Sequence, residues 1–474
     1  MTESEQPVAD RSELRRPETR VGAVMGAIRE RITGRRLAPG ARLPSIRAFA
    51  TAMAVSKSTV VEAYDRLAAE GAIEARRGSG FFVAGPPQPF SPADLGPRLE
   101  RAVDPFWVSR QTLDAGDTVL KPGCGWLPAE WLPQESLRRS LRALSRAPAE
   151  TLADYGTPLG LAPLRLWLSR RLAGHGIEAA PDQILLTESG TQALDLVCSL
   201  LVEPGDTVLV DDPCYFNFHA LLRAHRVRMV GVPFGPNGPD LAAFEQVLSE
   251  HRPRLYVTNS GLHNPTGASL SPVVAHRLLK LSEPFGLTIV EDDIFADFEL
   301  EPAPRLAAFD GLERVVQIGS FSKSLSASVR CGYIAARRDW IEGLIDLKIA
   351  GSFGTGRLAA DLVLGVLKDG GYRRHMDGLR TRLARAMGET AARLHAIGIE
   401  PWIEPRGGMF LWCRLPEGLD SAVIAQRLLA QDIVLAPGNV YSLSQSASRF
   451  MRFNVAQSGD PRLFAALGRV VKDR

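Results

Sequence analysis

Lys323 stands in the stretch GSFSKSLSASVR, Gly319 to Arg330, with Ser320 and Ser322 just before it and Arg330 seven residues after it. Two hydroxyls and a forked guanidinium are suited to hold a phosphate. A fixed positive charge near a lysine lowers its pKa, so that it attacks an aldehyde as the free amine. A phosphorylated aldehyde would use both features, and pyridoxal 5'-phosphate is the obvious candidate.

That ligand makes further demands on the chain. A carboxylate at the end of a buried strand should keep the pyridine nitrogen protonated, and LTIVEDDIFADF offers Asp292 there. Backbone amides at a helix N-terminus should meet the phosphate; LLTESGTQALDLV offers Ser189, Gly190, Thr191 and Gln192 between a strand and a helix. Tyr215 in DDPCYFNF could cover the ring, Asn264 in HNPTG could donate to its oxygen, and Arg452 in FMRFNV could bind a substrate carboxylate. Each of these has a plainer structural reading. Their joint occurrence in this order is what carries the assignment.

The elements that must position these residues are legible. The runs QILLT, TVLVDD, RMVGVPF, RLYVTN, LTIVEDD, RVVQIGSF and CGYIAA have few interior polar residues and alternate with helical segments. Strands buried on both faces read this way, and the alternation predicts an α/β body with a largely parallel sheet. The 474 residues are too many for one ordinary domain. The five cysteines are scattered with no CxxC pair, so no zinc site or disulfide framework is expected, and reduced thiols in a cytoplasm fit. The start MTESEQPVAD has no basic and apolar pattern of a signal peptide, and no apolar run reaches membrane-spanning length.

The net charge of +3 hides an asymmetry: residues 11–84 hold fourteen Arg or Lys against seven Asp or Glu. A small basic head on a near-neutral body points to a polyanion partner for the head. There, TRVGAVMGAIRERIT has helical apolar spacing, a short helix follows in SIRAFATAM, and SKSTVVEAYDRLAAEG makes a third. The third helix has Ser56 as a plausible N-cap, Thr59 and Glu62 as an alternative capping box, and Val60, Ala63 and Leu67 as its inner face. AIEARRGSGFFVA then forms two short strand-like pieces around a glycine tip. Three helices and a hairpin make a winged helix-turn-helix. Its reading helix starts on Ser56, Lys57, Ser58 and Thr59, small, polar and basic enough to reach base edges in a major groove. Arg42 and Arg47 would flank it at phosphates, and Arg76 and Arg77 would sit where the wing meets the minor groove. The proline-rich stretch GPPQPFSPADLGPRLERAVD reads as an extended linker. The expected organisation is therefore a DNA-binding head over 12–84, a linker over 85–116, and a cofactor-binding body over 117–474.

LPSIRAFATAMAVSKSTVVEAYDRLAAEGAIEARRGSGFFV resembles the DNA-binding domain of GntR-type regulators. The resemblance implies dimeric binding to paired half-sites, with Arg47, Lys57, Ser58, Thr59 and Gly78 at contact positions. The body motifs, with YGTPLGLAPLR and EPRGGMFLW, resemble fold type I aminotransferases. By that resemblance Lys323 binds the cofactor covalently, Asp292 contacts the pyridine nitrogen and Asn264 the ring oxygen. Gly190, Thr191, Ser320, Ser322 and Arg330 hold the phosphate, Tyr215 stacks on the ring, and Arg452 binds an amino-acid carboxylate. Tyr155 would reach the cofactor of the partner subunit. The fusion of both halves is similar to the MocR subfamily of GntR regulators, which pair a winged-helix head with an aminotransferase-like body in a head-to-tail homodimer.

One departure bears on activity. Where related aminotransferases commonly carry a tyrosine, this chain has Phe295, which cannot donate to the ring oxygen. The expected function is a cytoplasmic transcription regulator whose body senses pyridoxal phosphate or an amino compound and modulates operator binding. The alternatives are an active aminotransferase with an accessory head, and a regulator whose body has lost the cofactor and serves only for dimerisation.

Overall fold

The periodic apolar positions of the basic head form helices in the computed structural model, which describes residues 19–33, 37, 40–69, 72–76, 80–83 and 105–472. The chain divides into two units, Met1–Asp94 and Leu95–Arg474. In the first, α1 (Arg20–Thr33), α2 (Ile46–Ala52) and α3 (Lys57–Ala69) precede strands β1 (Ile73–Arg76) and β2 (Gly80–Val83). Val24 and Ile28 of α1, Phe49 of α2, Val60, Ala63, Tyr64 and Leu67 of α3, and Ile73 and Val83 of the hairpin form one buried cluster. Each fully buried aliphatic side chain of this kind contributes roughly 1.5–3 kcal/mol. Ser45 caps α2, its hydroxyl accepting from the Ala48 amide at 3.2 Å. Ser56 caps α3, accepting from the Thr59 amide at 3.1 Å. Ser56, not Thr59, is thus the cap, and Glu62 pairs instead with Arg66 at 2.6 Å. β1 and β2 pair antiparallel, Ile73 opposite Val83 and Arg76 opposite Gly80.

The second unit is built on an eight-stranded sheet of order β3-β10-β9-β8-β7-β4-β5-β6. Its strands are β3 (Ile184–Thr187), β4 (Thr207–Asp212), β5 (Arg228–Gly235), β6 (Gly238–Pro239), β7 (Leu255–Thr258), β8 (Thr288–Asp292), β9 (Val315–Ser320) and β10 (Gly332–Ala335). The five central strands β9, β8, β7, β4 and β5 run parallel. β10 is antiparallel to both neighbours, and β6 to β5. Alternate residues feed two cores: Tyr256, Ile289 and Val315 pack on one side of the sheet, and Val257, Val290 and Val316 on the other. That is why the strands read as unbroken apolar runs. A second, antiparallel sheet, β11 (Glu400–Pro401), β12 (Phe410–Arg414), β14 (Phe450–Asn454) and β13 (Ala436–Pro437) in that order, forms the smaller C-terminal part.

Part of the stretch expected as linker is structured. Helix α4 (Pro105–Asp114) lies within 85–116 and buries Val108 against Phe216, Trp412 and Tyr441. Residues 84–104 lie outside the described residues.

Candidate functional site

Parallel strands bring their carboxyl ends to one edge of the sheet, where ligands of such folds bind. Here β8 ends on Asp292 and β9 on Ser320, and the chain leaving β9 carries Lys323. Helix Gly190–Leu201 starts beside them. A cβ added at Gly332 of β10 would come within 2.7 Å of the Ser189 backbone, so only glycine lets β10 pass this close to the helix start.

One cavity at this edge is lined by Lys323, Asp292, Asn264, Tyr215, Gly190, Thr191, Ser320, Ser322 and Arg330. Burial, then the positive charges of Arg452 and Arg330, push the Lys323 amine down to about 8, against the opposing influence of Cys124 and Asp292. Burial pushes Asp292 up to about 7, although the Ile294 amide donates to its Oδ1 at 3.1 Å. A pH dependence follows from the lysine. The reactive form is the neutral amine, so the rate at which Lys323 condenses with an added aldehyde such as pyridoxal phosphate should climb with pH and level off near 8, instead of continuing toward the 10.5 of an ordinary lysine. Stopped-flow absorbance across that range measures it.

The end of the cavity beside the start of helix Gly190–Leu201 is built from local caps. The Ser189 side chain accepts from the Gln192 amide at 3.1 Å. The amides of Gly190 and Thr191 stay outside that cap at the positive end of the helix. The Ser320 hydroxyl donates to the Cys331 carbonyl at 3.1 Å and accepts from the Ser322 amide at 3.2 Å. The Ser322 hydroxyl lies 2.9 Å from Ser320 Oγ and, with the Ser320 proton given to Cys331, donates to it. Arg330 sits at φ 52°, a left-handed backbone unusual for a non-glycine residue, with an exposed side chain at the cavity.

Arg452 is 1% exposed. Its Nη1 donates to Asn264 Oδ1 at 2.8 Å and its Nη2 to the Gly123 carbonyl at 2.7 Å. The guanidinium lies over the rings of Phe410 (4.1 Å) and Tyr441 (5.0 Å). Because a guanidinium only donates, it fixes Asn264 with its oxygen toward Arg452 and its NH2 group free to donate. Arg452 thus stands behind Asn264 and not among the residues that line the cavity. Phe295 also lines the cavity, edge-on to Phe410 with centroids 5.5 Å apart. Tyr155 is not brought to this cavity; it is 81% exposed and packs on Phe353.

Sequence reasoning missed several wall residues: Gly125, Asn217, Asn259, Ile294 and Phe410. Asn259 had a signal in its place at the end of β7. Its Nδ2 donates to the Asp292 carbonyl and its Oδ1 accepts from the Asn264 amide at 3.1 Å, tying two site residues together.

In the head, Arg42, Arg47, Lys57 and Ser58 are exposed and Thr59 is half-buried. The Ser58 and Thr59 hydroxyls each lie 2.8 Å from Ser56 Oγ, so part of their hydrogen-bonding capacity is used in the cap. Arg76 ends β1. Arg77 and Gly78 lie outside the described residues.

The comparisons with known proteins agree with both halves. Residues 130–470 match the family "Aminotransferase class I and II", and residues 21–83 match "Bacterial regulatory proteins, gntR family". Along nearly the whole chain, the sequence is 31% identical over 458 residues to the HTH-type transcriptional regulator YdcR of Escherichia coli, covering 94% of this chain and 98% of that one. The chain is a MocR-type regulator of the GntR family. The body of this MocR-type regulator is also 32% identical to the 2-aminoadipate transaminase of Thermus thermophilus, over 73% of this chain and 89% of that one. Among solved structures, its fold matches LysN, an α-aminoadipate aminotransferase from the same species in complex with N-(5'-phosphopyridoxyl)-L-leucine. The TM-score is 0.71 and the identity 28%, covering 77% of this chain and 94% of that chain. No helix among the regulator's described residues is long and apolar enough to cross a membrane.

Proposed function

We propose that the aminotransferase-like body of this regulator binds pyridoxal 5'-phosphate through Lys323, and that the cofactor, or an amine or amino acid reacting with it, changes affinity for the operator. The observation that carries this reading is the convergence, in one cavity, of a lysine amine with a depressed pKa, a buried carboxylate and a set of anion donors from separate chain segments. When bound, the cofactor supplies an aldehyde for condensation with amines and an electron-poor ring. The chain's own residues do the rest. Lys323 presents its amine, and Asp292 holds a proton at the pyridine nitrogen. Asn264 donates its NH2 to the ring oxygen, and Tyr215 covers the ring. The Gly190 and Thr191 amides, Ser320, Ser322 and Arg330 hold the phosphate. Arg452 is the cation that an amino-acid carboxylate reaches, at the expense of its bond to Asn264.

A homodimer is part of the proposal. Tyr155 and Phe353 form an exposed aromatic pair, with Leu152 and Leu358 also exposed, as a surface that meets a second copy would be. Tyr155 then reaches the partner's cofactor. Cytoplasmic residence suits the five buried free thiols.

An effector can shift DNA affinity only by binding one protein state better than another. The test is operator binding on the gene's own upstream region with and without pyridoxal phosphate and a panel of amines. The expected result is a change in affinity with cofactor and a further change with one amine. Unchanged affinity throughout would sink the sensing role.

The second reading, an active aminotransferase, is favoured by Arg452, by the complete phosphate set and by likeness to a transaminase. Phe295 stands against it, because the hydroxyl that would tune the ring oxygen is missing. Rapid turnover over an amino-acid panel without sequence-specific DNA binding would establish it.

For the head, Lys57→Ala should weaken operator binding by about 1–3 kcal/mol, and Arg47→Ala should weaken it while reducing the salt slope by about one. Titrations at several salt concentrations measure both. Unchanged binding in both variants would mean that the reading helix is misassigned.

A further inference from the structure

A second cavity of about 460 Å3 lies in the body, between the long helix Gly371–His395, the turn after β8 and the EPRGGMFLW segment. The size falls in the range of small-molecule sites. Its apolar wall includes Phe298, Leu383, Met387 and Leu411. Three charged side chains also line it: Arg380, Arg406 and Glu404. Arg406 is exposed and makes no ion pair or hydrogen bond among the described residues. Arg380 commits Nε to the Asp297 carbonyl and Nη1 to Asp377, both at 2.9 Å, leaving Nη2 uncommitted. Arg406 and the free Nη2 of Arg380 therefore offer two donors to an anionic group beside an apolar body, with Glu404 as the opposing charge.

This cavity shares two elements with the first. Successive residues of a strand face opposite ways: Phe410 of β12 lines the first cavity and Leu411 the second. Likewise Phe295 lines the first and Phe298 the second. Between the last two sits Asp297, the centre of a buried polar chain. Arg171 Nη2 pairs with Asp297 Oδ1 at 2.6 Å. The Tyr372 hydroxyl gives its one proton to Asp297 Oδ2 at 2.5 Å and accepts from the Ser324 hydroxyl, 2.9 Å away. Ser324 is the residue after Lys323. Helix Gly371–His395 thus touches the lysine loop at one end, through Tyr372, and lines the second cavity further along.

We propose that the second cavity binds an amphipathic carboxylate, an alkyl or arylalkyl acid, and that its occupancy is transmitted through Arg380, Asp297, Tyr372 and Ser324 to the environment of Lys323. The carboxylate pairs with Arg406 and the free Nη2 of Arg380, while the apolar body covers Leu383, Met387 and Leu411. The binding half of this proposal is independent of the cofactor. The transmission half rests on the assignment of Lys323 as the pyridoxal phosphate lysine.

The experiment uses full-length protein, octanoate as the ligand and an anilinonaphthalene sulfonate as a fluorescent competitor. Gly388 lines the cavity from the helix, and a Cβ there meets nothing within 4 Å, so Gly388→Phe plugs the space without a clash at the backbone. The expected results are saturable octanoate binding at one per chain, loss of it in Gly388→Phe, and weakening by about tenfold in Arg406→Gln. In cofactor-loaded protein, octanoate should shift the pH titration of the bound-cofactor absorbance by about half a unit. Tyr372→Phe should retain octanoate binding and lose that shift. Absence of saturable binding overturns the site, as does binding that survives both Gly388→Phe and Arg406→Gln. Should Gly388→Phe instead change the oligomeric state, the face belongs to a second chain and the site is wrong. Binding without a shift in loaded protein overturns the transmission. If the protein takes up no pyridoxal phosphate, the cofactor reading fails on its own, while the octanoate titration still decides the site.

Discussion

Lys323→Ala, mixed with pyridoxal phosphate and passed through a desalting column, should show none of the visible absorbance that the unmodified protein retains. Borohydride followed by peptide mapping should place the label on residue 323 in the unmodified protein and nowhere in the variant. The expected effect is complete because one nitrogen makes the covalent bond, and no other amine among the lining residues can replace it. Lys348, also depressed to about 8 by burial, donates to the carbonyls of Pro158 and Leu186 and does not line the cavity. The phosphate contacts remain in the variant, so weak, non-covalent retention that washes out is compatible with the proposal. A covalent label on any other lysine is not. If unmodified protein also stays colourless, the body is a dimerisation scaffold and the sensing role goes with it.

Arg305→Leu should destabilise the body by about 3–5 kcal/mol, the cost of breaking a buried ion pair on one side. Arg305 is 1% exposed, with Nε 3.0 Å from Asp293 Oδ2 and Nη2 2.9 Å from Glu299 Oε2. Burial already pushes Glu299 up to about 7 despite the arginine. Without that cation two neighbouring carboxylates would share a dry site, with the Gln317 side chain, 2.8 Å from Asp293 Oδ2, and the Ala303 amide, 3.2 Å from Glu299 Oε2, still donating to them. Glu299, already raised by burial, would lose the charge that holds it down, so its folded-state pKa would stand further above the unfolded one. Such a group favours folding below the unfolded pKa and opposes it as pH rises through the folded one. The deficit should therefore be largest at neutral and alkaline pH and shrink on acidification. Urea melts of the variant and the parent at several pH values measure it, and a deficit independent of pH would contradict the electrostatic origin.

The outcome for Lys57 and Arg47 depends on local sequence alone. A run of small and basic residues at a helix start, capped by Ser56, is set by neighbours within a few positions. The same holds for the strand runs. Burial on both faces forces unbroken apolar stretches, and each of the seven runs singled out overlaps a strand of the eight-stranded sheet. Lys323, Asp292, Gly190 and Thr191 stand out for the same reason: each sits at the end of such a run, and chain direction in a parallel sheet sends those ends to one edge.

What sequence alone determined, then, was the winged-helix head, the α/β body and the residue types at the strand ends. The tertiary structure decided what depends on pairs far apart in the chain. Arg452 meets the Gly123 carbonyl across 329 positions and so backs Asn264 instead of lining the cavity. Tyr372 reaches Ser324 across 48. The antiparallel setting of β10, the docking of α4 and the placing of Tyr155 away from its own cavity belong to the same class. Local propensity and periodicity act within a few residues, whereas a buried ion pair or hydrogen bond is specified only once packing has removed water and brought distant partners within about 3 Å.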